Sequence, residues 1–112
     1  MHSFQRLWQI GSKKLKPGKY KVLAIGLSRG TVISIGVNHY TKSHPIQAKH
    51  AKSANQPDKI YLHAEIDCLN KAHKPIDTMI VLRTNKVGNF ANAKPCPVCQ
   101  HALKGIKNVY HS

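Results

Sequence analysis

Residues 22–27 form an unbroken apolar run, and after Ser28-Arg29-Gly30 a second run, rich in Ile and Val, covers residues 31–37. Continuous apolar runs bounded by turn residues mark strands buried on both faces, and two of them across a short glycine turn predict a β-hairpin. Ahead of the hairpin, Phe4, Leu7, Trp8 and Leu15 recur at helical spacing. They predict an opening amphipathic helix that Lys16-Pro17-Gly18 ends. Further on, Leu62, Ile66 and Leu69 give residues 62–72 a helical period, and Met79-Ile80-Val81-Leu82 reads as a short buried strand. A last helix is predicted over residues 96–104, with Pro95 and Pro97 at its start, where proline is tolerated. Val109 and Tyr110 begin a final strand.

Between these elements the pattern dissolves twice. Residues 38–59 are polar, basic and histidine-bearing, punctuated by Pro45 and Pro57, with room only for a short helix around residues 47–54. A loop this long in a small domain is usually functional. Residues 84–94 read as a second polar loop. The order helix, hairpin, helix, strand, helix, strand predicts a three-layer α/β/α domain with a mixed sheet of four or five strands. With no internal repeat or linker, 112 residues that are 41% apolar fit a single domain spanning residues 1–112.

Charge adds a partner class. The chain carries 18 Lys and Arg against four acidic residues, a net charge of +14. Such an imbalance concentrates polyanions and phosphorylated metabolites around the protein. Lys42, Lys49, Lys52 and Lys59 make the first long loop the expected phosphate contact, and His44 within it is a candidate substrate-binding residue. Three cysteines, two of them in a Cys-x-x-Cys pair, favour a metal over a disulfide framework and a reducing, cytoplasmic setting. No run has signal-peptide character or the roughly 20 apolar residues that span a bilayer, so no membrane association is expected.

The chemistry concentrates in His63-Ala64-Glu65 and Pro95-Cys96-Pro97-Val98-Cys99, each opening a predicted helix. One imidazole and two thiolates suit Zn2+, and three protein ligands leave a fourth tetrahedral position for water, as in catalytic rather than structural sites. Glu65, two residues after His63, reaches that position as a proton carrier without ligating. Cys68 lies five positions after His63, about 140° around a helix, and so reads as a buried apolar residue.

The two motifs together resemble the signature of the zinc-dependent cytidine and deoxycytidylate deaminase superfamily. The resemblance covers about residues 23–110. It implies a hydrolase that converts a cytosine nucleotide or nucleoside to the uracil form, with water attacking C4 while the carboxylate matching Glu65 protonates N3 and then the departing ammonia. It further implies that Asn38 contacts the sugar and that the backbone of Ala64 donates to the base carbonyl. Family members continue through another helix and strand beyond the point matching Ser112, so a homo-oligomer is expected to cover what that segment covers. The alternative is a nucleic-acid deaminase acting on single-stranded DNA or RNA, on cytosine or on adenine in tRNA. The +14 charge favours that alternative and the 6% aromatic content opposes it. A non-catalytic zinc module is a third reading, against which Glu65 speaks.

Overall fold

A computed structural model describes residues 4–12, 21–39, 43–56, 62–85 and 89–112. The described elements are α1 (Phe4–Gly11), β1 (Lys21–Ser28), β2 (Thr31–Val37), α2 (Pro45–Ser53), α3 (Ala64–Lys71), β3 (Thr78–Thr84), β4 (Phe90–Ala91), α4 (Pro97–Ala102) and β5 (Asn108–His111). They form an α/β structure with four helices and one mixed sheet.

The hairpin turns on Arg29 and Gly30, both at positive φ (51° and 78°). That conformation matches the twist of the strands and costs glycine nothing. Arg29 tolerates it because its N–H donates to Asp77 Oδ2 at 2.7 Å. β1 pairs antiparallel with β2 on one side and with β3 on the other. The outer edge of β3 is shared: β5 runs parallel along Thr78 to Val81, and β4 pairs antiparallel with Arg83 and Thr84. Ser112 joins all three strands, its N–H donating to Val81 O, its hydroxyl donating to Ala91 O and accepting from Arg83 N.

Strand alternation sorts the apolar side chains onto two faces. Leu23, Ile25, Leu27, Ile80 and Leu82 cluster with Leu7 of α1, while Ala24, Met79 and Val81 cluster with Ala64 and Cys68 of α3. Full burial of Leu7 contributes about 2 kcal/mol, enough to seat so short a helix. A third cluster, Ala51, Leu62, Ile66, Val98 and Cys99, joins α2, α3 and α4. Gly36 of β2 brings α3 unusually close, because a Cβ there would overlap the Ala64 carbonyl and the Cys68 backbone.

The described part of α1 runs to Gly11, which packs closely on Leu23, while the expected stop at Lys16-Pro17-Gly18, with Leu15, lies outside the described residues. Three features differ from expectation. β2 is only partly buried, being a sheet edge, although the hairpin reads as buried on both faces. α2 starts at Pro45, two residues before the predicted span, with His44 as its cap. The second polar loop contains β4, which brings the sheet to five strands. A two-residue strand carries no periodic signal. Among the described residues, no helix is long and apolar enough to cross a membrane.

Candidate metal centre

Two helix starts meet at this site. His63 is the residue preceding α3, and its own N–H donates to Gln47 Oε1 of α2 at 3.2 Å, a fully buried acceptor that locks the backbone there. His63 O then accepts from Asp67 N at 2.9 Å as the first helical bond. Cys96 holds the same position before α4, with Pro97 pre-set for the first turn. Its carbonyl accepts from Gln100 N at 2.8 Å, and the Gln100 side chain returns to Pro95 O at 2.8 Å.

These constraints bring His63 Nδ1 to 3.5 Å from Cys96 Sγ and 3.4 Å from Cys99 Sγ. A tetrahedral zinc with ordinary Zn–N and Zn–S bonds places nitrogen and sulfur about 3.6 Å apart. The three donors therefore already stand at ligand spacing, and all lie within 4.8 Å of one another. Hydrogen bonding with Cys99, with His63 nearby, holds Cys96 down at about 3, while hydrogen bonding with Cys96 and burial push Cys99 far up.

Glu65 lies in the first turn of α3 and is buried. Burial pushes its carboxyl above the usual range, opposed by its own backbone N–H, by the charge of His63 and by a hydrogen bond from Cys99. With His63 and Cys96, Glu65 lines one part of a cleft of about 350 Å3. Val22 and Val81 contribute apolar lining, and Asn38 enters at the exit of β2. Asp67 organises that exit: fully buried on α3, it accepts from Val37 N at 3.0 Å and from Lys71 Nζ at 2.9 Å, with His39 Nε2 at 3.5 Å. His39 N adds a bond to Leu62 O, tying the strand exit to the start of α3.

The structure thus gathers His63, Glu65, Cys96 and Asn38 around one cleft. Ala64 is buried under β2, and neither it nor His44 is among the described lining residues; His44 instead accepts from Ile46 N at 3.1 Å. Cys68 is apart from the metal group, buried against Ser34, and burial raises its thiol to about 11. Trp8 packs edge-on to Phe90 with centroids 6.0 Å apart. Lys42, Lys59 and Tyr40 lie outside the described residues. Sequence reasoning missed Gln47 and Asp67, polar residues on helix faces where no pattern marks them, and also Arg83, Asn92 and Lys94 in the cleft. Arg83 had a usable signal, being two residues beyond Val81 and so on the same face of β3. No protein-family model, curated protein or solved structure matches the chain.

Proposed function

We propose that the chain is a zinc-dependent hydrolytic deaminase acting on a cytosine nucleotide or nucleoside. The observation that carries this reading is the convergence of His63 Nδ1 and two sulfurs at zinc-ligand spacing, with the buried Glu65 carboxyl lining the same cleft. Zinc held there supplies a Lewis acid that makes water a nucleophile near neutral pH. Glu65 takes one proton from the attacking water and passes it to N3 as the water oxygen bonds to C4. It then carries the second water proton to the exocyclic amine, the C4–N bond breaks, ammonia leaves and a carbonyl remains. Asn38 orients the sugar. The Val22 and Val81 walls keep bulk water from the base, which strengthens each polar contact around it.

The packing of α1 and α3 against separate faces of the sheet supports a three-layer α/β/α, deaminase-like arrangement. Unpaired Cys96 and Cys99 support a cytoplasmic setting, and the exposed Val109 and Tyr110 on β5 support a homo-oligomer. The test is ammonia release from cytidine, deoxycytidine and their monophosphates by zinc-loaded protein. Glu65→Gln should keep about one zinc per chain and lose about 10²–10⁴-fold in turnover. Undiminished turnover in that variant, or no metal in the wild type, would reject the reading.

A further inference from the structure

The cleft holds two cations that the zinc chemistry does not use. Val22 and Val81 lie beside Arg83, since Val22 and Arg83 are register partners and Arg83 follows Val81 on one face of β3. β4 pairs with Arg83 through Ala91, and the chain leaves β4 directly into Asn92 and Lys94, which line the same cleft. Asn92 Oδ1 accepts from Lys94 N at 3.0 Å, shaping this connection. Arg83 and Lys94 are therefore delivered by one hydrogen-bonded unit, the β3–β4 edge, and both precede the Cys96 ligand.

We infer that Arg83 and Lys94 form an anion subsite that takes the phosphate of a single nucleotide; this rests on the deaminase reading of the cleft. Arg83 is half-buried on an apolar lining, where a guanidinium is held in place and its attraction for phosphate is less screened than at a solvated lysine. Among the described lining residues Glu65 is the sole acid. About 350 Å3 lies near the lower end of the range for small-ligand sites. Among the described lining residues no Phe, Tyr or Trp offers a platform for stacked bases. Of the lysines expected to contact phosphate from the first long loop, Lys49 and Lys52 are not among the described lining residues, and Lys42 and Lys59 lie outside the described residues.

The experiment is the ratio of kcat/KM for a cytosine monophosphate to that for its nucleoside, measured in zinc-loaded wild type, Arg83→Gln, Lys94→Gln and Lys94→Arg. The ratio is expected at about 10–100 in the wild type, the worth of a charge-assisted contact, and close to one in either Gln variant. Lys94→Arg should retain it. A misfolded variant lowers both rates and leaves the ratio alone, and Lys94, being exposed, decides the matter if Arg83→Gln fails to take up zinc. A wild-type ratio near one, or a ratio untouched by both Gln substitutions, overturns the subsite. If no cytosine compound is turned over, the deaminase reading fails by itself, and calorimetric binding of the monophosphate against the nucleoside in the same proteins then decides the subsite. Preferential deamination of oligonucleotides, with binding that falls steeply on a log-log salt plot, would overturn the mononucleotide assignment.

Discussion

Replacing Gly36 by alanine tests how α3 is held over the sheet. A Cβ at this position would stand 2.8 Å from Cys68 Cα and closer still to Cys68 N and the Ala64 carbonyl, all of them backbone atoms. Carbon contacts relax only near 3.5–4 Å, so α3 must withdraw by about 1 Å, and no rotamer change relieves it. Overpacking of this kind costs about 1–3 kcal/mol, and a rigid neighbour places Gly36→Ala at the upper end. The lost chain entropy of the unfolded state returns about 0.4–1 kcal/mol. The net loss is about 2 kcal/mol, or roughly 8 °C in Tm for a chain of this length. Because His63 and Glu65 ride at the start of α3, withdrawal also pulls Nδ1 away from the sulfurs, and on the proposed zinc reading it weakens metal affinity. Urea unfolding of metal-free protein under reducing conditions measures the first effect, and chelator competition the second. Gly105→Ala is the control, since nothing lies within 4 Å of the added Cβ. Equal stability of the two variants would refute the close approach of α3 to β2.

Asp67→Asn should lower stability by about 1.5–3 kcal/mol in urea titrations, because a buried charge-assisted bond to Val37 N is weakened, whereas Lys71→Met, losing a half-exposed partner of the same carboxylate, should cost under about 1 kcal/mol. Asp77 is held below its ordinary value of 3.8 by the Arg29 N–H and the Thr78 hydroxyl, so its contribution is present above that value and lost as pH falls through the lower folded one. Between pH 5 and pH 2 the wild type should therefore lose more stability than Asp77→Asn, and parallel curves would contradict this. Burial keeps Cys68 a thiol up to about 11, against an ordinary 9, so its contribution is full below pH 9 and fades as pH rises toward 11. Iodoacetamide at pH 8 should modify Cys68 only after unfolding, and labelling of the native protein, read by mass spectrometry, would show the burial to be wrong.

Much of the fold was legible in the chain because local chemistry and tertiary placement agree. The apolar run through Leu23 and Ile25, with Arg29-Gly30 after it, specifies a hairpin whatever packs on it. The His63 and Cys96-Cys99 motifs predicted their own meeting, since three donors with zinc-ligand chemistry and a carboxylate two residues from one of them have few other uses. β4 was not legible: its two residues pair only because the β3 edge is already present beyond the reach of β5.

Which residues could hold a metal ion was thus legible in the sequence by itself, while the residues that orient them and complete the cleft were decided by tertiary structure alone. Gln47 meets His63 from 16 positions away, Asp67 meets Val37 from 30, and Arg83 gains Lys94 as a neighbour in the cleft only through the β3–β4 pairing. Periodicity reports which face of an element is buried. It does not report which element lies opposite, and a buried polar side chain takes its role from the group across from it. Arg83 illustrates the difference: its charge was visible as composition, but strand alternation and register put it among the described lining residues of the cleft.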